Sequence, residues 1–167
     1  MKRIIFHGTS QVFSSFHTSL AVKTSEPNSN LGTHTTRSPK DAVVYANKAM
    51  EMDHRPQKPV VLILEHKMEN VYEIDEDRYF YGWEELMSGA SGYFADMREE
   101  LVGDGFDSIN FRGSHEDVIT LLKEEDINIL GVLEPSEAIA LSEKMDIEKI
   151  TWDEPERIIE AWKSLAI

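Results

Sequence analysis

The chain predicts an α+β fold, and three observations carry that reading. Short runs rich in β-branched and aromatic residues recur along it, the most apolar being Pro59-Val60-Val61-Leu62-Ile63-Leu64. Between them lie stretches whose apolar residues repeat every three to four positions, the spacing of a helix with one buried face. Beyond Val132 the pattern is helical only, so the sequence divides into a mixed domain over 1–132 and a C-terminal helical extension over 133–167 packed on the same domain.

With 167 residues, 41% of them apolar, the chain suits one domain that buries roughly 70% of its unfolded surface. No run approaches the ~18 apolar residues of a membrane span, and Met1-Lys2-Arg3 leads straight into a strand rather than a signal segment, which predicts a cytoplasmic protein without membrane contact. The absence of cysteine excludes disulfides, thiolate catalysis and cysteine-bound metal. Seventeen Lys and Arg against 31 Asp and Glu leave a net charge of −14. Such a chain repels a phosphate backbone, so no nucleic-acid binding is expected and a basic protein surface is the more plausible partner.

Residues 3 to 7 form the first strand, which Gly8 is expected to end by adopting backbone angles closed to other residues. Phe13 and Phe16 then anchor a turn, with Phe16 near enough to line a pocket. Residues 23 to 31 are turn formers and read as a mobile loop. Gly32 to Thr36 suits a short strand, and Ser38-Pro39 opens a helix with Ser38 as N-cap and Ala42, Tyr45, Ala46 and Ala49 on its buried face. Asp53 to Lys58 breaks that helix. The central strand at 59–64 follows, then another short strand within residues 68 to 81, including Val71 to Ile74, before an acidic loop.

Helices are expected near Gly82 to Met87 and from Gly92 to Val102, stopped by Gly103-Asp104-Gly105. Phe106 to Phe111 is a strand, Arg112 to Asp117 a polar loop and Val118 to Leu122 the next strand. A turn at Lys123 to Asp126 returns the chain as a strand over Ile127 to Val132. Pro135 to Met145 and Pro155 to Leu165, the latter with Asp153 as N-cap, complete the helices.

The order of these pieces resembles the ADP-ribosyltransferase superfamily, in its diphtheria-toxin and poly(ADP-ribose) polymerase branch with a His-Tyr-Glu set. His7-Gly8-Thr9 is similar to the His-Gly-Ser/Thr motif of the first strand. Gly32-Thr33-His34-Thr35-Thr36 with Tyr45 resembles the Gly-x-Tyr-Phe segment and its second tyrosine, and Gly105-Phe106-Asp107-Ser108-Ile109 resembles the Gly-Tyr-Asp-Gly-Ile strand of small bacterial and phage members. The likeness spans roughly residues 3 to 132, and its specificity lies in the ordered set. It implies a split, mixed or antiparallel sheet with flanking helices, NAD as substrate, and transfer of ADP-ribose to a protein acceptor in a bacterial or host cytoplasm.

Each position then acquires a role. Cleaving nicotinamide from ribose develops positive charge on the sugar, so the nicotinamide must be held rigidly and a carboxylate placed near the charge. The resemblance assigns the carboxamide to the Gly8 backbone and the Thr9 hydroxyl, a ribose hydroxyl to His7, and ring stacking to Tyr45. His34, beside Thr35, replaces the first tyrosine, stacks or hydrogen-bonds in its stead, and titrates near neutrality. Glu116 and Asp117 stand for the acid. Strand alternation favours Glu116 and proximity favours Asp117, because counting back from Ile127 puts Val118 at the family position.

The same residues have plainer readings. His7 can be a strand-end histidine bonded by backbone, Tyr45 a core residue, and the acidic pair part of a solvated loop. His17, His54, His66 and His115 lack metal-ligand spacing, so no metal is expected. Three functions stay open: an NAD-dependent ADP-ribosyltransferase, an RNA 2′-phosphotransferase-like enzyme with Arg37 and Arg112 for phosphates, and a non-catalytic acidic binding module.

Overall fold

Seven strands and four helices follow one another in a computed structural model that describes residues 2–12, 31–52, 58–75, 91–112 and 118–166. They are β1 (Arg3–Thr9), β2 (Thr33–Thr35), α1 (Pro39–Met52), β3 (Val60–His66), β4 (Val71–Asp75), α2 (Ser91–Gly103), β5 (Ser108–Arg112), β6 (Ile119–Leu121), β7 (Asn128–Leu133), α3 (Pro135–Glu148) and α4 (Pro155–Lys163). The strands make two sheets, ordered β1-β3-β7 and β2-β6-β5-β4, so the fold is α+β with a split sheet. Contacts group the chain into two compact units. The first comprises Met1–Ser15, Thr35–Lys67 and Ile127–Ile167, and the second Phe16–His34 and Met68–Asp126. Among the described residues no helix is long and apolar enough to cross a membrane.

In the first unit the most apolar strand takes the central place. β3 pairs antiparallel with β1 and β7, and Val60 to Leu64 are all buried. One sheet face carries Ile4, Phe6, Val61, Ile63 and Leu133 into a core shared with Ala42 of α1, Leu141 of α3 and Ile158 of α4. Burial of each large aliphatic side chain here contributes roughly 1.5–3 kcal/mol before entropy is charged against it. The C-terminal helices, expected as an extension over 133–167, thus supply part of this unit's core.

Helix starts are chemically marked. The Ser38 hydroxyl accepts the Asp41 N–H at 3.2 Å with Pro39 at the first helical position, as expected for α1. At α3 the Glu137 carboxylate accepts the Glu134 N–H at 2.8 Å. The N-cap of α4 is Glu154 and not Asp153. Asp153 instead accepts the Thr151 hydroxyl at 2.6 Å, one residue outside the capping position.

The second unit is organised by Asp107. Its buried carboxylate accepts the N–H of Glu69 at 2.7 Å and of Asn70 at 2.9 Å, and the Ser108 hydroxyl at 2.7 Å. The backbone groups just before β4 are thereby fixed to the start of β5, the parallel neighbour of β4. α2, on the crossover between these strands, is tied to the end of β6 by Arg98, whose Nε and Nη2 both donate to the Leu122 carbonyl, at 3.0 and 2.9 Å. The core holds Phe94, Leu101, Ile109 and Leu122.

Three expectations are corrected. Gly8 does not end the first strand: β1 runs through it to Thr9, and among the described residues the glycines with positive φ are Gly32 and Gly105, not Gly8. The turn after β6 does not bring the chain back alongside that strand. A 3₁₀ turn at Glu124–Asp126 delivers it to β7, which pairs with β3 in the other sheet. Leu31, read as the end of a polar loop, is fully buried in the second unit's core. The rest of that loop, Phe13 and Phe16, the helix near 82–87 and the helix break at 53–57 lie outside the described residues.

Candidate functional site

The end of β1 is where the first unit gathers most of the expected residues. Side chains alternate along the strand, so Ile4, Phe6 and Gly8 face α1 while Ile5, His7 and Thr9 face the opposite side. At Gly8 the helix comes as near as backbone allows. A Cβ there would run into the Ala42 carbonyl oxygen and stand 2.5 Å from the Ala46 nitrogen. Gly8 is therefore required by helix–strand contact, with no call on left-handed backbone.

That contact also sets the direction of the Gly8 peptide groups. Alternate residues of a strand turn their N–H and C=O to the same side. On β1 the Ile4 N–H bonds the Trp152 carbonyl at 3.0 Å, and Phe6 exchanges bonds of 2.8 and 2.9 Å with Thr36, all on the edge away from β3. Gly8, two residues on, turns its N–H and C=O to that same edge. The bridge at Thr36 is isolated, and no described residue bonds Gly8 there. The strand thus ends in an adjacent donor and acceptor beside α1.

Around this edge the other residues are placed as follows. Tyr45 is half-buried on α1, the helix whose Ala42 and Ala46 meet Gly8. Lys48, one turn on, holds its ammonium 5.6 Å from the centre of the Tyr45 ring. His7 is half-buried and leaves β1 on the face away from α1, so a ligand touching both His7 and Tyr45 has to sit past the Gly8 end of the strand. Thr9 is buried, and its hydroxyl oxygen already accepts the Gln11 N–H at 3.2 Å while its O–H can still donate. Thr35 is buried on β2.

His34 belongs to the second unit, where its Nδ1 lies 2.7 Å from the Thr120 hydroxyl of β6. If the hydroxyl donates, the histidine is the neutral tautomer with its proton on Nε2. Phe16, Glu116 and Asp117 lie outside the described residues. Val118, the position reached by counting back from Ile127, packs on the second unit's core. A cavity of about 280 Å³ in that unit, lined by Tyr72, Asp96, Met97, Glu100 and Leu101, includes none of the expected residues.

Two side chains here escaped sequence reasoning. Lys48 follows Tyr45 at helical spacing, a signal that was present. Thr120 gave none, since its partner His34 is 86 residues away. Compared with protein-family models, with curated proteins and with solved structures, the chain matches none.

Proposed function

We propose that this protein is an NAD-dependent ADP-ribosyltransferase that moves ADP-ribose onto a protein acceptor and releases nicotinamide. The single observation that carries the reading is the Gly8 peptide edge. One N–H and one C=O side by side complement the C=O and NH₂ of a primary carboxamide, and Tyr45 stands on α1, the helix that meets Gly8. The resemblance of His7-Gly8-Thr9 and Tyr45 to the family's motifs asks for this pairing.

In the reaction, the C1′–N bond of NAD breaks with its electron pair passing to the nicotinamide nitrogen, which neutralises the pyridinium. A lone pair of the acceptor closes on C1′, and the acceptor's proton leaves to a carboxylate. Gly8 and Tyr45 fix the leaving ring, and His7 reaches a ribose hydroxyl from the far face of β1. Glu116 and Asp117 are the two residues the resemblance nominates for the carboxylate.

The test is incubation of the pure protein with NAD, following free nicotinamide and, separately, NAD binding by calorimetry. We expect slow hydrolysis that falls at least tenfold in His7→Ala and in a Glu116→Gln/Asp117→Asn double variant, and NAD binding that weakens in Tyr45→Ala. Absence of NAD binding at millimolar concentration would overturn the reading. Binding with no turnover in the presence of candidate acceptors would reduce the protein to a binding module.

A further inference from the structure

Tyr45 does not offer both faces of its ring to a ligand. The Lys48 ammonium lies over one of them, 5.6 Å from the ring centre. The two residues stand three positions apart on α1, so helical spacing alone builds the pair. Tyr45 is half-buried and Lys48 exposed.

A ring with a cation on one face leaves the other face to a ligand, and leaves it on altered terms. Aromatic faces attract cations because the quadrupole is negative there, and an ammonium already in place opposes a second positive charge beyond the ring. A neutral ring meets no such opposition. The two forms of nicotinamide differ in this respect: in NAD the ring is a pyridinium, and once its bond to ribose has broken it is neutral. Allowing about 3.5 Å of stacking contact, the ligand's ring would lie roughly 9 Å from the Lys48 ammonium. That is close to the Debye length of about 8 Å at physiological salt, so the repulsion is felt but moderate. The chain's net charge of −14 works the other way by attracting a pyridinium, which gives a cation beside the ring something to offset.

On the reading that Tyr45 stacks on nicotinamide, we propose that Lys48 is a positioning residue acting through Tyr45: it closes one face of the ring, leaves the other to the nicotinamide, and makes that face prefer the neutral leaving group to the cation. Bound NAD is then held less tightly than the state in which the C1′–N electron pair is passing to the ring nitrogen. Lys48 itself makes and breaks no bond.

Nicotinamide and N1-methylnicotinamide test the proposal, since they are one ring in neutral and cationic form and neither carries a phosphate. Each is titrated by NMR, on the Tyr45 ring signals, into wild type, Lys48→Gln and Lys48→Arg at low salt. Both replacements are good helix formers at an exposed position, so the fold is kept. The preference for the neutral ring should shrink about threefold in Lys48→Gln and return in Lys48→Arg. In wild type it should fade as salt is added. The same preference in all three proteins overturns the inference alone and leaves a contact that only orders α1. A wild type whose Tyr45 signals respond to neither ring nor to NAD overturns the nicotinamide reading, and this inference with it.

Discussion

The two units hold their sheets by different means. In the first, three helices press apolar side chains onto β1, β3 and β7, and the approach is close enough that Gly8 has no room for a methyl group. In the second, polar side chains reach backbone groups distant in sequence: Asp107 holds the residues before β4, and Arg98 holds the end of β6. Neither β1-β3-β7 nor the parallel pair β4-β5 has a hairpin turn to set its register, so the first sheet relies on the packing of its apolar strands and the second on these hydrogen bonds. The comparison teaches that the first unit should fail by overpacking and the second by loss of a hydrogen-bonding centre.

Gly8→Ala is the strongest way to break that contrast. The added methyl meets backbone atoms of α1, which cannot swing aside as a side chain tip can, so either α1 or β1 must shift. We expect a loss of about 3 kcal/mol in urea unfolding, at the upper end of what overpacking costs. Gly105→Ala is the internal control. Gly105 has φ +91° and open space around it, so only the backbone preference is lost, about 1 kcal/mol. Equal losses in the two variants would show that α1 yields at no cost and that the close approach is not what requires glycine.

These two glycines also show how far the sequence is legible. Gly8 was visible as the centre of His7-Gly8-Thr9, but its expected role, ending a strand, was wrong, because the reason for the glycine lies in Ala42 and Ala46, more than thirty residues downstream. The strands and helices themselves were legible from periodicity, down to Ser38 as the cap of α1. Sheet partnership was not. The runs of β6 and β7, separated by a short turn, read as neighbours although they enter different sheets. Asp107 was singled out only as part of a motif, since its backbone partners lie 37 and 38 residues before it. At the candidate site, the order of His7, Gly8 and Tyr45 along the chain was legible. The outward turn of the Gly8 peptide groups was not, because it depends on which edge of β1 meets Thr36 and Trp152.

Asp107→Ala sharpens the comparison from the second unit's side. Removing the carboxylate leaves two backbone N–H groups and the buried Ser108 hydroxyl without their acceptor, a loss of about 2 kcal/mol, since hydrogen bonds to a charged group are the stronger ones and an orphaned donor carries its desolvation cost. Hydrogen exchange locates the damage: amides of Glu69 and Asn70 should lose protection while those of β3 keep theirs. Loss of protection spread evenly over both units would mean that Asp107 does not act as a centre for the second unit alone.

The smallest effect concerns the surface of the first unit, where polar contacts add little to a fold secured by packing. Glu154 is held at a pKa of about 2, below its ordinary 4.5, first by the Thr151 N–H and then by hydrogen bonding to Arg157 and the Thr151 hydroxyl. A carboxyl group with a folded pKa below the unfolded one stabilises fully above pH 4.5, and that contribution fades as pH falls from 4.5 towards 2. Because the group is exposed, solvent screening keeps the effect small. Urea midpoints of wild type and Glu154→Gln should therefore differ slightly at pH 6 and converge as pH approaches 2, with added salt narrowing the gap at pH 6. A gap that stays constant from pH 6 to pH 2 would mean that the Glu154 charge contributes nothing, and that Thr151 and Arg157 order the start of α4 without it.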